Sequence, residues 1–398
     1  MTEEQPTYTL RQLVMYFLKL GYSGFGGPVA LVGYMHRDLV EKRKWISEED
    51  YKEGLTLAQL APGPLAAQLG IYLGFVHYRY LGATLVALAF VLPSFLMVVA
   101  LGIAYKMFNG LPWMQAVFYG VGAAVIGIIA MSSYKLTIKS IGKFNPDSFK
   151  SKWMLWLFFL TTMTITFISQ TEVLPVFIAA GLLYMFVKAP PAWAKSSTAK
   201  SILLFTGIGF WDYDSKTLGQ IALFFTQAGA FVFGSGLAII PFLHGAVTKY
   251  HWIDEHTFLD AVAVAMITPG PVVITVGFIG YLTAGFPGAC IAAACTFMPC
   301  YFFTVIPAPY FKKYAKNTSI KAFVDGITAA VIGALTGAVI IIAINTFTQN
   351  HSVIIDIPSV LIAVVTVLAL LYVKKIQEPY IILIAAITGL ILKSFFLH

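Results

Sequence analysis

Long apolar stretches separated by short polar and basic segments make up most of the chain. Residues 113–134, 322–346 and 355–373 are examples, each a run of about 20 predominantly apolar residues, which is the length a helix needs to cross the hydrocarbon core of a bilayer. The stretches lack the alternation with a period of two that marks the strands of an outer-membrane barrel. This pattern predicts an all-α polytopic membrane protein with about ten to twelve helices.

Composition excludes a soluble protein. The 398 residues are 59% hydrophobic and only 11% charged, whereas soluble domains are about 45–50% apolar and about 25% charged. The formal net charge of +8 lies mostly in short loops between apolar segments, where it reports orientation in the membrane. Lipid is therefore an expected partner and nucleic acid is not.

Two halves of the chain repeat the same motifs in the same order. Trp45-Ile46-Ser47-Glu48 recurs as Trp252-Ile253-Asp254-Glu255, and Pro62-Gly63-Pro64 recurs as Pro269-Gly270-Pro271, both at an offset of 207. Such a self-similarity indicates a duplicated unit. We predict a first copy at 1–188, a linker at 189–216 and a second copy at 217–398.

The distribution of lysines predicts that the two copies have inverted topology. Lys135, Lys139 and Lys143 follow the apolar run 113–134, whereas Lys312 and Lys313 precede the equivalent run 322–346. If basic loops are cytoplasmic, equivalent helices must run in opposite directions. Inverted repeats with a site at the bilayer midplane are a recurrent design of secondary transporters.

Each copy contains two apolar segments that are interrupted by proline and glycine. One interruption is Phe25-Gly26-Gly27-Pro28, matched by Phe233-Gly234-Ser235-Gly236, and the other is the duplicated Pro-Gly-Pro. Proline removes an amide donor and clashes with the preceding turn, so a helix ends there. We therefore predict broken helices and re-entrant helical hairpins whose tips meet near the midplane, buried or lining a cavity.

Helix ends at such interruptions favour a negatively charged ligand. Helices that begin after Gly27 and Pro62 would present amide hydrogens and the positive end of the helix dipole to a common space. Four such helix starts suit an oxyanion. The alternative is that the interruptions are kinks that serve helix packing.

The ordered motifs resemble those of the chromate ion transporter family in its long, two-domain form. The resemblance rests on Phe25-Gly26-Gly27-Pro28, Trp45-Ile46-Ser47-Glu48-Glu49, Pro62-Gly63-Pro64 and Leu92-Pro93, with a second set in the C-terminal half. It implies export of chromate through the plasma (inner) membrane, chromate resistance, and sulfate-like oxyanions as further substrates. Many members have a histidine where this chain has Leu31.

A transporter or channel for another inorganic or small organic anion is the alternative function. The sequence also leaves open potential-driven uniport, proton symport and anion exchange, as well as a homodimer. No catalytic residue, metal site or cofactor is predicted, and Cys290, Cys295 and Cys300 are expected to serve packing because they share no helix face. The chain is therefore not expected to be an enzyme.

The candidate substrate-binding residues cluster at the interruptions. They are Lys19, Phe25, Gly26, Gly27, Pro28, Pro62, Gly63, Pro64, Gln68, Gln227, Gly234, Ser235, Gly236, Thr268, Pro269, Gly270 and Pro271. Lys19 is a cation in an apolar run, which favours a role in binding the anion. The alternative interpretation is that its side chain extends to water at the membrane edge. Glu53 and Asp260, which match at an offset of 207, are candidates for ion coupling, with helix-dipole stabilisation as the alternative.

Overall fold

The computed structural model describes residues 7–25, 27–108, 111–170, 174–191, 217–232, 236–311, 317–348, 355–373 and 378–395, and the regular elements within them are helices. The α-helices are α1 (Leu10–Ser23), α2 (Gly27–Met35), α3 (Glu48–Leu60), α4 (Leu65–Phe108), α5 (Pro112–Ser140), α6 (Pro146–Ser151), α7 (Trp153–Ser169), α8 (Leu174–Lys188), α9 (Thr217–Ala230), α10 (Ile240–Thr248), α11 (Glu255–Ile267), α12 (Thr275–Val305), α13 (Thr318–Phe347), α14 (Ile357–Tyr372) and α15 (Glu378–Phe395). A π-helix, His36–Lys42, continues α2, and short 3-10 turns cover Gly236–Ile239, Val272–Ile274 and Ala308–Tyr310. The all-α class predicted from the apolar runs is confirmed for the described residues.

Equivalent elements begin in the same way in the two halves. Helices α3 and α11 are both 13 residues long. Ser47 caps α3 by accepting a hydrogen bond from the amide of Asp50, and Asp254 caps α11 by accepting one from the amide of Thr257. Short polar side chains at this position satisfy an amide that has no partner within the helix. The helix starts therefore follow directly from the duplicated Trp-Ile motif and the acidic residues behind it.

Helices α4 and α12 each contain a sharp turn at which the chain reverses direction. Arg79 has φ 51° and ψ −140°, and Gly285 has φ 65° and ψ −157°. A Cβ atom on Gly82 would lie 2.1 Å from the carbonyl oxygen of Gly74, although residues eight apart in a straight helix are separated by about 12 Å. Residues 65–78 and 80–108 are therefore two antiparallel helices joined at Arg79.

The same geometry recurs in α12. A Cβ atom on Gly288 would lie 2.3 Å from the carbonyl oxygen of Gly280. These close backbone contacts require glycine, and they stack the two arms of each turn tightly. In the first copy, α3 and residues 65–78 form a hairpin around Pro62-Gly63-Pro64, since Gly54 packs on the ring of Tyr72. The chain reverses where the sequence predicts it, and the place of the tips at the bilayer midplane stays a prediction.

The long helix of each copy packs into the other copy. Helix α5 packs against α14 and α15, while α13 packs against α7 and α8. Glycine again allows the close approach, because a Cβ on Gly120 would meet the carbonyl oxygen of Ala385 at 2.1 Å and one on Gly333 would meet that of Phe159 at 2.2 Å. Small residues at helix contacts are typical of membrane bundles.

The second arms of α4 and α12 pack against each other in opposite directions. Thr84 and Tyr301 share a hydrogen bond of 2.7 Å between their hydroxyl groups, and the ring centroids of Phe95 and Phe286 are 6.4 Å apart. The lower-numbered residue of one arm thus meets the higher-numbered residue of the other. Equivalent helices of the two copies are antiparallel at this contact.

Four stretches of the described chain are long and apolar enough to cross a membrane. They are Leu65–Phe108, Trp113–Ser140, Val272–Tyr310 and Thr318–Phe347. The first and third contain the turns at Arg79 and Gly285, so their spanning parts are the second arms. Three shorter apolar helices, α7, α8 and α14, lie beside them. Large apolar side chains on the outer surface, such as Leu88 at 57% and Leu361 at 57% exposure, fit a hydrocarbon environment.

Candidate functional site

The two Pro-Gly-Pro tips are each hydrogen-bonded to the interrupted helix of the opposite copy. The amide of Gly63 donates to the carbonyl oxygen of Val232 at 2.5 Å, and the amide of Gly270 donates to the carbonyl oxygen of Gly24 at 2.9 Å. Val232 lies directly before Phe233-Gly234-Ser235-Gly236, and Gly24 directly before Phe25-Gly26-Gly27-Pro28. We call these two hydrogen bonds the crossed pair. They bring together the interruptions that the sequence marks separately.

The glycines of the tips have backbone conformations and surroundings that exclude a side chain. Gly63 has φ 141° and Gly270 has φ 100°, a region that L-residues rarely adopt. A Cβ on Gly270 would lie 2.0 Å from the hydroxyl oxygen of Ser94, and one on Gly63 would lie 2.8 Å from Nε2 of Gln68. The tips therefore depend on these two residues being glycine.

Ser94 and Cys300 complete the two tip contacts, and sequence analysis did not select either as a site residue. The Ser94 hydroxyl donates to the carbonyl oxygen of Gly21 at 3.1 Å beside Gly270, while Cys300 lies beside Gly63. Both follow a proline at equivalent positions, Pro93 and Pro299. That shared proline was the signal that could have located them.

The crossed pair corrects one expectation about amide donors. The chain after Pro62 was expected to present free amides to an anion, but the amide of Gly63 donates to a backbone carbonyl, as does the amide of Gly270. The first hydrogen bond within α4 runs from the amide of Gln68 to Pro64. The amides of residues 65–67 precede it and have no acceptor within the helix, as is usual for a first turn.

Other predicted polar side chains brace the local backbone. The Gln68 amide nitrogen donates to the carbonyl oxygen of Pro62 at 2.8 Å, and the buried Gln68 carbonyl oxygen has no partner among the described residues. Thr268 donates to the carbonyl oxygen of Val264 at 2.6 Å. Contact of either side chain with an anion stays a prediction.

The remaining predicted residues lie at the interruptions or outside the described residues. Gly27 begins α2 with φ 70°, and Gly236 begins a 3-10 turn. Those that frame the tips and the first interruption are Phe25, Pro28, Pro62, Pro64, Pro269 and Pro271. Gly26, Gly234 and Ser235 lie outside the described residues.

An open cavity of about 440 Å³ leads to the first interruption. It is lined by Tyr16, Lys19, Leu20, Ser23, Gly24, Phe25, Tyr34, Arg37, Asp38 and Arg43. Arg37 donates to Asp38 at 2.9 Å, and this hydrogen bond raises the pKa of the Arg37 guanidinium. The three cations and one carboxylate give this first cavity an excess positive charge. Lys19 thus lines this cavity together with Gly24 and Phe25 as one of several cations, and its contact with an anion stays a prediction.

A smaller cavity of about 80 Å³ occupies the equivalent place in the second copy. Its lining includes Gln227, His244 and Lys249, together with Thr166 and Ile341 from helices α7 and α13. His244 and Glu255 are 3.0 Å apart, as His36 and Glu48 are 2.9 Å apart in the first copy. Both copies therefore contain an equivalent histidine–glutamate contact, but the second cavity is smaller and is lined in part by neighbouring helices.

The two candidate coupling residues occupy different environments. Tyr72 donates to Glu53 at 3.1 Å on a half-buried face, whereas Tyr105 donates to the buried Asp260 at 2.7 Å. Asp260 also lines a cavity of about 680 Å³ with Asp254, His256 and Asp356. Across the described ranges, no three His, Cys, Asp or Glu side chains are grouped so that they could hold a metal ion.

Comparison with known proteins identifies the family. The sequence profile of the chromate transporter family matches residues 11–186 and again residues 219–390. A chromate transport protein of Cupriavidus metallidurans is 62% identical over 97% of this chain and 94% of its own length. A probable chromate transport protein of Synechococcus elongatus is 56% identical over 98% of this chain and 97% of its own.

More distant relatives extend the match. An uncharacterized transporter of Methanocaldococcus jannaschii is 30% identical over 95% of this chain and 93% of its own length. No solved structure matches. The double profile match accords with a chain built of two repeats, and the apolar helices place it in the lipid bilayer. The chain belongs to the chromate transporter family and is a multi-pass integral protein of the cell membrane.

Proposed function

We propose that the protein exports chromate, and related tetrahedral oxyanions such as sulfate, from the cytoplasm. The observation that carries this proposal is the crossed pair, because each of its hydrogen bonds joins the tip of one copy to the interruption of the other, and Gly24 also lines a cationic cavity. The name of the Cupriavidus metallidurans relative supports chromate as the substrate. The first turn of α4 and Lys19 supply donors and positive charge suited to an oxyanion.

Inverted insertion of the two copies is part of this proposal. It is supported by the antiparallel contact between residues 80–108 and 286–305, where Thr84 meets Tyr301. If these equivalent helices cross the membrane, they cross it in opposite directions. The first cavity then faces the side on which Arg37, Lys42 and Arg43 lie, which the distribution of positive charge assigns to the cytoplasm.

The crossed pair suggests how passage is controlled. The bond between Gly270 and Gly24 lies at the wall of the first cavity, since Gly24 lines that cavity. An anion moving inward from the cavity has to separate the tip of the second copy from the interruption of the first. The equivalent bond between Gly63 and Val232 would close the other side by the same contact.

The membrane potential is sufficient to drive export of a dianion. Moving two negative charges outward across an inside-negative membrane releases about 4.6 kcal/mol per 100 mV, which supports a gradient of about a thousandfold. Glu53 and Asp260 are the residues we propose for any additional coupling to protons. Anion exchange would use the same cavity without them.

Transport into everted vesicles tests the proposal. Vesicles containing the protein, with an inside-positive potential imposed by a potassium gradient and valinomycin, should accumulate chromate, and sulfate should compete. Uptake should saturate with concentration, whereas a channel would give linear flux. Absence of protein-dependent uptake of either anion would contradict the proposal. Competition by molybdate and small organic acids defines the substrate range.

A further inference from the structure

The first cavity carries two cations that no carboxylate neutralises. Lys19 and Arg43 make no ion pair within 4.0 Å with any carboxylate in the part of the chain that the structure describes, whereas Arg37 is paired with Asp38. The lining therefore holds three positive charges and one negative charge. Both residues are exposed, so an anion that enters this open cavity can reach them.

Arg43 is held in place by aromatic rings. Its guanidinium lies 5.2 Å from the ring centroid of Tyr16 and 4.5 Å from that of Trp45. Stacking covers the faces of the guanidinium and leaves its N–H edge available for hydrogen bonds. The position of the charge is thus fixed before a ligand arrives.

Tyr16 adds an unused hydrogen-bond donor to the same wall. Its side chain is 7% exposed, and its hydroxyl has no hydrogen-bond partner among the described residues. A buried hydroxyl without a partner is unfavourable. An oxyanion against Arg43 would offer the missing acceptor after a small movement of the ring.

The second copy has a different residue at each of these three positions. Phe224 stands at the position of Tyr16 and Gln227 at that of Lys19 (offset 208), and Tyr250 stands at that of Arg43 (offset 207). Tyr250 stacks on Trp252 at 4.6 Å between ring centroids, so an aromatic contact replaces the cation. The charge of the first cavity is therefore a property of that copy and not of the repeated fold.

We propose that Lys19, Arg43 and the Tyr16 hydroxyl form an outer binding site for a tetrahedral dianion in the first cavity. The anion occupies it before it reaches the interruption at Gly24. Asp38 opposes binding by its charge and by engaging Arg37. This inference rests on the proposed function and names the residues that receive its substrate.

Equilibrium binding of chromate and of sulfate to the purified full-length protein tests this site. Each residue is replaced by its counterpart from the second copy, as Lys19→Gln, Arg43→Tyr and Tyr16→Phe. Each loss of a charged donor should raise the dissociation constant about tenfold, and loss of the hydroxyl about threefold. Lys52→Gln is the matched control, since Lys52 pairs with Glu48 outside the cavity, and it should bind as the original protein does.

Asp38→Asn should change the dissociation constant in the opposite direction, which keeps the test independent of folding. It removes the negative charge of the lining and releases Arg37, so the dissociation constant should fall about threefold. A damaged protein would not bind more tightly. Unchanged binding in both Lys19→Gln and Arg43→Tyr, or weaker binding in Asp38→Asn, would overturn the proposed site.

The same experiment separates this inference from the proposed function. If the unaltered protein transports chromate but the cavity variants bind it normally, the site is wrong and the transport proposal stands. If the unaltered protein neither binds nor transports chromate or sulfate, the proposed function fails as well.

Discussion

The two copies have equivalent helices and differ in the cavity beside each interruption. The first cavity measures about 440 Å³ and is lined by Lys19, Arg37 and Arg43, whereas the second measures about 80 Å³ and contains Lys249 and the neutral Gln227. The second is also lined by Thr166 of α7 and Ile341 of α13. The repeated backbone thus supplies the interruption, and the surrounding packing decides whether it is accessible.

This difference indicates that the two copies contribute unequally to anion binding. The crossed pair is symmetrical, since each tip meets the opposite interruption through the same atoms. The charged lining is unsymmetrical, because the first copy has Lys19 and Arg43 where the second has Gln227 and Tyr250. A site built on unequal halves can bind the same anion with different affinity from its two sides. The following experiments test this comparison, beginning with the largest expected effect.

Single cysteines in equivalent loops test whether the copies face opposite sides. In a background in which Cys290, Cys295 and Cys300 are replaced by alanine, Lys150→Cys and Ile355→Cys lie after the equivalent helices α5 and α13. An impermeant maleimide should label one variant only in everted vesicles and the other only in right-side-out vesicles. Labelling of both from the same face would contradict inverted insertion.

Alanine at the tips should disable both halves of the crossed pair. We expect Gly270→Ala to reduce chromate transport more than tenfold and to lower the free energy of unfolding by about 2–4 kcal/mol, from backbone strain and overpacking. Gly63→Ala should cost less, because the flexible end of Gln68 can move aside. Vesicle transport and thermal unfolding measure the two effects.

Gly33→Ala is the control for the tip variants. A Cβ at Gly33 meets no heavy atom within 4 Å, and helical alanine is favoured over glycine by up to about 1 kcal/mol. Transport that is equally impaired in Gly33→Ala and Gly270→Ala would show that the tips have no special role.

The carboxylates Asp260 and Glu53 should respond unequally to neutralisation. We expect Asp260→Asn to slow chromate transport about tenfold, because the buried hydrogen bond from Tyr105 is altered and the side chain can no longer bind and release a proton. Its rate should also lose the dependence on an imposed pH gradient. Glu53→Gln should have a smaller effect, since Glu53 is half-buried. An unchanged response of Asp260→Asn to the gradient would contradict its role in coupling, and equal effects of the two substitutions would contradict a larger role for Asp260 than for Glu53.

The hydrogen bond between the second arms of α4 and α12 should contribute least to the stability of the protein. Tyr301→Phe removes the contact with Thr84 and should lower the free energy of unfolding by about 1 kcal/mol or less. Tyr310→Phe, at 65% exposure, serves as the control. Thermal unfolding in detergent distinguishes them, and an identical melting temperature would show that this bond adds nothing to the contact between copies.

Much of the fold could be predicted from the sequence because its signals are local and duplicated. The Pro-Gly-Pro motifs give both chain reversals, and the Trp-Ile motifs precede both capped helices. The turn within α4 was harder to predict from the sequence. The equivalent turn in the second copy contains Gly285, and a positive φ is common for glycine. In the first copy Arg79 also has a positive φ, although it carries a side chain. No local sequence pattern predicts a turn at Arg79.

The composition of the candidate site could be predicted only in part. Lys19 was selected because a cation in an apolar run is unusual, whereas Tyr16 and Ser94 resemble ordinary packing residues in a helix. Which tip meets which interruption depends on contacts between distant parts of the chain, such as Gly63 with Val232. A single sequence gives no information on such pairings, and the availability of the tip amides was misjudged for that reason.

The crossed pair also has a consequence for biogenesis. The ribosome releases Gly63 long before Val232 exists, so the first half must enter the bilayer with that amide still lacking its acceptor. Until the second half has been translated, we expect this amide to need water or a chaperone as its hydrogen-bond partner. Truncated nascent chains should therefore be more susceptible to membrane proteases than the finished protein.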